Sequence, residues 1–163
     1  MVLQREKYKQ AILYLCNELG GEVRGKKKLA KLLYFLDFDL FEKRGTSLTC
    51  DIYTAKPMGP FPSALEEVTH EMSDEKSLMI EAVPEREGYI PTEIYRSCLK
   101  PDLSQFQHEE LLMLKRIVTK YGHLNGKQLE ELSHAEAPYI GTESTKEIPY
   151  ELAFYRGTDF GEV

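Results

Sequence analysis

The most regular pattern of apolar residues lies between Lys26 and Arg44, where the predicted helix is apolar on nearly every side. Leucines recur at steps of three and four residues and form one stripe, and aromatic residues form a second stripe on another side. The stripes are Leu29, Leu32, Leu33, Leu36 and Leu40, and Tyr34, Phe38 and Phe41. A helix that is apolar nearly all round is buried nearly all round, so this stretch predicts the central helix of the protein.

The charged residues of this helix fall on two different sides. At about 100° per residue, four of them lie together on a side that we expect to reach water. They are Lys28, Lys31, Asp39 and Glu42. Asp37 instead lies among apolar neighbours, and burial of an unpaired carboxylate is costly. We therefore expect a buried Asp37 with a partner near Lys31, at the strand around Tyr53, or at His134.

The pattern along the rest of the chain predicts an α+β fold that is mainly α-helical, with helices around the central one and a small antiparallel hairpin. Further helices are predicted at 4–19, 63–73, 104–121, 125–134 and 149–155, and strands at 48–55, 78–83 and 89–95. Ser63 and Ser104 are predicted caps by capping-box spacing, as is Asn125 with Gln128. Pro91 predicts an edge strand. Residues 135–147 are expected to be loop, and the chain from Gly157 onward a loose tail.

The segment Pro57–Pro62, with sequence PMGPFP, follows the predicted strand 48–55. Its prolines exclude helix and inner strand. The simpler interpretation is a tight connector whose prolines set the turn geometry. The alternative is a rigid platform that displays Met58 and Phe61.

Composition narrows the class of protein. The chain has 163 residues and a net charge of −6, which predicts one domain, 1–163, with an N-terminal lobe at 1–100 and a C-terminal helical lobe at 101–163. Three scattered cysteines, without a CxxC pair, fit a reducing cytoplasm and disfavour a disulfide framework or a zinc site. We expect no membrane span and no secretory leader. The acidic balance weakens attraction to nucleic acid.

A search for chemistry finds no catalytic signature, and we expect no cofactor and no metal site. His70 with Glu71 and Asp74 reads as a solvated helix face rather than as a metal site. One interpretation of an Asp37–His134 pair is a catalytic acid and base. The favoured interpretation is a polar lock, a hydrogen bond that joins the two lobes and satisfies the buried acid, because buried ion pairs perturb pKa without catalysis.

Several short motifs, taken in their order along the chain, resemble those of one known family. Lys31-Leu32-Leu33-Tyr34, Asp37-Phe38, Gly45, Leu48-Thr49 and Tyr53 are followed by Gly59-Pro60, Pro62, Leu132-Ser133-His134, Pro138 and Tyr150–Ala153. This set is similar to the Panacea domain of SocA-like antitoxins, which are often phage-associated. The resemblance implies a protein of toxin–antitoxin systems that binds a partner toxin and performs no reaction. The residues that the resemblance implies as the structural motif are Tyr34, Asp37, Tyr53, Gly59, Pro60, Pro62 and His134.

Two functions follow as hypotheses. The first is an antitoxin that neutralises a toxin by direct contact, on a rim formed by Lys27, Lys28, Lys31, Met58 and Phe61; a homodimer is compatible with it. The second is a winged-helix DNA-binding regulator, suggested by the order of elements up to Tyr95. The helix after Ser63, which would enter the major groove, is acidic, and this makes nucleic acid an unfavourable partner.

Overall fold

The computed structural model describes residues 2–161 and contains α-helices, 3-10 turns and two small antiparallel sheets. The α-helices are α1 (Arg5–Glu18), α2 (Lys26–Arg44), α3 (Leu65–Asp74), α4 (His108–Tyr121), α5 (Gly126–His134) and α6 (Ala137–Ile140). The strands are β1 (Glu22–Arg24), β2 (Tyr53–Lys56), β3 (Gly59–Pro62), β4 (Leu78–Val83) and β5 (Thr92–Ser97). The 3-10 turns are Leu103–Gln105 and Tyr150–Tyr155. The predicted fold class, α+β and mainly helical, is confirmed.

Helix α2 is the central helix, as its apolar pattern predicts. Every residue from Leu29 to Phe41 is buried. The helix packs against α4, α5 and the C-terminal 3-10 turn, and also against β1 and β3. Gly45 ends it in the left-handed conformation, with φ of 80°, which glycine adopts without strain. The core is one cluster that draws residues from both predicted lobes.

The predicted charged side of α2 is partly wrong. Lys31 is only 1% exposed and Asp39 is fully buried, although both were expected to reach water. Lys28 and Glu42 are half-buried. Elements that pack on α2 from distant parts of the chain cover this side, which the periodicity of one helix does not reveal.

The three-stranded sheet has the order β1-β5-β4. Glu22 pairs with Arg96 on one side of β5, and Leu78 pairs with Ser97 on the other. The predicted hairpin is therefore present, but its second strand is central, and the edge-strand interpretation of Pro91 is wrong. Pro91 lies just before the strand, where its missing N–H costs no ladder bond. The short strand β1 was predicted as a connection.

The proline-rich segment forms part of a second, two-stranded sheet. Strand β2 pairs with β3 so that Tyr53 faces Pro62 and Lys56 faces Gly59. The observed strand is thus shorter than the predicted strand 48–55 and shifted along the chain. The segment Pro57–Pro62 forms a hairpin turn followed by a strand, and is more than a tight connector. Strand β3 is an edge strand, which is where prolines are tolerated in a sheet.

Helix caps differ from the predictions at two of three positions. Asn125 caps α5 in a capping box with Gln128, as predicted. The N-cap of α3 is Ala64 rather than Ser63, and its N–H donates to the Asp51 carboxylate. Helix α4 is capped by Gln107 in a box with Glu110 rather than by Ser104.

The C-terminal segment is more ordered than predicted. Helix α6 lies inside the expected loop 135–147, and the closing helix is a 3-10 turn. The tail prediction is wrong through residue 161, because Thr158 donates to the Glu42 carboxylate over 2.8 Å and the Phe160 ring lies 4.7 Å from the Arg116 guanidinium. The last two residues of the predicted tail, 162 and 163, lie outside the described residues.

Candidate partner-binding cleft

A cleft of about 770 Å³ opens where the first turns of α2 meet the β2–β3 hairpin and the loop before β5. Three parts of the chain far apart in sequence form its walls. They are Gly25, Lys26, Lys27 and Lys31, then Lys56, Pro57, Met58 and Phe61, and then Ile90, Pro91, Thr92 and Glu93. The cleft brings together four of the five predicted contact residues: Lys27, Lys31, Met58 and Phe61.

Lys28 does not join them. Its ammonium donates to the main-chain carbonyl of Gly122 over 2.7 Å, so it faces the turn that follows α4. Lys27 and Lys28 are adjacent on the helix and point about 100° apart, which places them on different neighbours. The prediction that Lys28 shares this rim is wrong.

Lys31 is held by the Gly59–Pro60 pair. Its ammonium donates to the Pro60 carbonyl over 3.0 Å. Gly59 has a φ of 109°, and a Cβ at this position would lie 2.7 Å from Lys31 Cε and 3.0 Å from Ser133 Oγ. Only glycine combines that backbone conformation with that closeness. The motif residues Gly59 and Pro60 therefore hold the Lys31 side chain in place.

The charge of Lys31 is poorly compensated. Burial lowers its pKa to about 8, with Glu130 raising that pKa and Lys27 lowering it further. Within residues 2–161, no carboxylate lies within ion-pair distance of its ammonium. A buried ammonium with one neutral acceptor remains short of hydrogen-bond partners, because it carries three donors.

The other cleft lysines are paired to different degrees. Lys27 lies 3.1 Å from the Glu130 carboxylate, and Lys26 lies 2.7 Å from Glu66. The exposed Lys56 ammonium lies 5.9 Å from the centre of the Phe61 ring. Positive charge therefore exceeds negative charge along one wall of the cleft.

The cleft also has an apolar lining. Met58 is 57% exposed and Ile90 is 94% exposed, while Phe61 is half-buried and packs against the core. Ile90 and Pro91 were missed by the sequence analysis because the pairing of β5 with β1 carries them to α2. The sequence did contain a signal for these two residues, the apolar and proline-containing run before β5. That run was interpreted as part of a strand.

Asp37 is fully buried, as predicted, and every hydrogen bond to it comes from an uncharged donor. The N–H groups of Leu48 and Thr49 donate to Oδ1 over 2.9 Å each. The hydroxyls of Thr49 and Tyr53 donate to Oδ2 over 2.5 and 2.6 Å. Burial raises the Asp37 pKa to about 6, and these donors limit the rise.

The predicted Asp37–His134 pair is absent from the hydrogen bonds of residues 2–161. The His134 ring stacks on Tyr139 with centroids 4.5 Å apart, and its buried Nε2 has no hydrogen-bond partner in the same part of the chain. Of the three expected sources of a partner for Asp37, the predicted strand 48–55 is the correct one, and it supplies Leu48, Thr49 and Tyr53.

A charged cluster, not a His134 lock, ties the C-terminal segment to α2. The buried Arg156 guanidinium contacts Asp39 at 2.5 Å, Glu42 at 3.1 Å and Glu136 at 3.1 Å. Arg116 contacts the other Asp39 oxygen at 2.6 Å, and the motif residue Tyr34 donates to Glu136 over 2.8 Å. Burial alone would lower the Arg156 pKa, but the carboxylates outweigh burial and raise it.

Among residues 2–161, no group of three or more His, Cys, Asp and Glu side chains is arranged to hold a metal ion. No helix in the same range is long and apolar enough to cross a membrane. The distinctive arrangement is the cleft.

One of the comparisons with known proteins found a match. Searches of curated proteins and of solved structures found no match. A family described as "Antitoxin SocA-like, Panacea domain" matches residues 29–139, which include Lys31, Asp37, Gly59 and Ser133 and end before Tyr150–Ala153. That match covers more than half of the 163 residues, and the chain belongs to the SocA-like Panacea domain family of antitoxins.

Proposed function

We propose that this protein neutralises a partner toxin by direct contact at the cleft, without performing chemistry. The observation that carries the proposal is the cleft's combination of exposed apolar side chains with lysines whose charge is only partly compensated. Family membership implies a toxin partner in general terms. The cleft is the surface we assign to it.

The physical argument rests on how interfaces distribute energy. A few well-packed anchors supply most of the binding energy, and charged groups around them add specificity. Met58 on the hairpin and Ile90 in the loop before β5 are exposed, and Phe61 on the hairpin lines the same cleft. A partner that covers these side chains removes apolar surface from water without rearranging the core.

DNA binding is the weaker alternative. The helices and the hairpin that suggested a winged helix are present, with the strands β1 and β3 added, but the exposed side of α3 carries Glu66 and Glu67. Glu71 on the same helix pairs with Arg5 and Lys9 of α1, so those two basic groups serve an internal contact. A helix of this charge repels the phosphate backbone.

The test is co-expression with the product of the neighbouring gene, in cells whose growth that product stops. We expect the native protein to restore growth, and the double variant Met58→Ala with Phe61→Ala to lose rescue while keeping a cooperative thermal melt. Met79→Ala is the matched control, since Met79 on β4 is 54% exposed but lies outside the cleft.

Two outcomes contradict the proposal. Full rescue by the double variant moves the interface away from the cleft, with the exposed Tyr155 of the C-terminal lobe as the next surface to test. A gel shift of DNA by the native protein at low salt, together with no rescue, puts the DNA-binding alternative ahead.

A further inference from the structure

We infer that Lys31 receives a carboxylate of the bound partner, so that the cleft recognises an apolar segment carrying an aspartate or glutamate side chain. The inference rests on the proposed function and adds the chemistry of the partner. It assigns to Lys31 a role in specificity beyond its contact with Pro60.

The first step is the electrostatic surroundings of the Lys31 ammonium. Lys27 on the same helix opposes its charge, and Glu130 on α5 favours it without reaching ion-pair distance. The hairpin adds Lys56 to the cleft, and β5 adds Glu93.

Glu130 is already engaged by Lys27 at 3.1 Å, and Glu93 lies 3.8 Å from Lys26. Both nearby carboxylates are thus shared with other lysines. The protein itself supplies no counter-ion to Lys31 within residues 2–161.

The second step is what binding does to this charge. The Lys31 side chain is only 1% exposed, so its ammonium already lies away from bulk water, where a charge interacts more strongly with a carboxylate. A charge-assisted hydrogen bond is about twice as strong as a neutral one. A partner carboxylate placed next to Lys31 therefore satisfies a group that the free protein leaves short of acceptors.

The third step limits how the partner can bind. Pro60 and Pro62 have no N–H, so the outer edge of β3 lacks two of the donors that an added strand would need. The Pro60 carbonyl is already used by Lys31. The partner is thus recognised by its side chains, with apolar groups against Met58 and Ile90 and an acidic group at Lys31.

The experiment measures affinity for the purified product of the neighbouring gene, as the candidate toxin, by calorimetry at pH 7 and pH 9. The pKa of Lys31 is lowered to about 8, so the free protein at pH 9 carries mostly neutral Lys31. If the complex needs the charged form, affinity falls about tenfold between the two pH values. Lys31→Met is expected to bind about tenfold or more weakly at pH 7, with no such fall at pH 9.

Lys28→Met is the matched control. Lys28 is a half-buried lysine one turn away whose ammonium also donates to a main-chain carbonyl, and burial lowers its pKa too. It lies outside the cleft. This variant loses a comparable internal hydrogen bond, and we expect its affinity and its pH dependence to equal those of the native protein.

The partner's carboxylate is located by changing each toxin Asp and Glu to Asn and Gln. We expect one change to weaken binding as much as Lys31→Met, and the two changes together to weaken it no further. Toxin binding that Lys31→Met leaves unaltered overturns this inference while the proposed function stands. Failure of the native protein to bind at either pH overturns both.

Discussion

The two ends of α2 differ in the partners of their charged side chains. In its C-terminal half, Asp37, Asp39 and Glu42 all contact donors supplied by other parts of the chain. In its first turns, the Lys31 ammonium donates, within residues 2–161, to a carbonyl oxygen alone, and the Lys26 and Lys27 ammonium groups lie near the Glu66 and Glu130 carboxylates. The C-terminal half of the helix thus pairs its carboxylates with donors, whereas the first turns leave the buried Lys31 ammonium with a neutral acceptor.

This difference separates residues that stabilise the fold from residues that serve a partner. Buried charges are tolerated where the geometry satisfies them, and removing one member of such a set is costly. Charges that stay partly exposed, such as those of Lys26, Lys27 and Lys56, contribute little to folding. We therefore expect substitutions at the C-terminal half of α2 to reduce stability, and substitutions in the cleft to reduce binding.

The largest effect is expected for Arg156→Met, which leaves the carboxylates of Asp39, Glu42 and Glu136 without their shared cation. The cost is about 3–5 kcal/mol of unfolding free energy, as for breaking other buried ion pairs. Urea denaturation measures it. Arg116→Met is the control, because Arg116 is more exposed and contacts only one of the three carboxylates, and its cost should be smaller. Equal costs would mean that Arg156 is not the centre of this cluster.

The next effect concerns Asp37. Asp37→Ala leaves the buried N–H groups of Leu48 and Thr49 without an acceptor, at a cost of about 3 kcal/mol. Asp37→Asn keeps one acceptor oxygen and should cost less. A thermal melt of Asp37→Ala that coincides with the native one would contradict the structural role of this carboxylate.

The same residue predicts a pH dependence with a definite sign. Its pKa is raised to about 6 in the folded protein, so the folded state holds a proton that the unfolded state has lost. Stability attributable to Asp37 therefore falls as pH rises from about 4 to about 6, by up to about 3 kcal/mol, and changes little above that. The measurement is the difference in unfolding free energy between the native protein and Asp37→Asn across this range. A difference that grows in the opposite direction would mean that the folded state favours the charged form.

The smallest effect on stability is expected at the cleft. Lys56→Met removes an exposed ammonium whose contact within residues 2–161 is the Phe61 ring, so the urea midpoint should not change measurably. Toxin affinity should fall by about two- to threefold, because a charge at the margin of an interface contributes modestly. A clear loss of stability would show that the contrast between the two ends of α2 does not extend to the hairpin.

Much of the framework could be predicted from the sequence because it depends on local patterns. The leucine and aromatic stripes of α2 predict its burial, and Asn125 with Gln128 predicts a helix start. Asp37 was recognisable as buried because its immediate helical neighbours are apolar. Most of the predicted contact residues do meet in one cleft, since the start of α2 and Gly59–Pro60 are joined through Lys31.

The sequence by itself determined the longer helices α1 to α5, the central position of α2 and the family, because periodicity and motif order are properties of the chain. Only the tertiary structure decided which charges are satisfied. Asp39 and Lys31 lie on the predicted polar side of α2, yet Arg156 comes from more than a hundred residues away to bury one, and Gly59 covers the other. The physical reason is that burial depends on which distant segments pack on a surface. Helical periodicity records only the surface that a helix could expose.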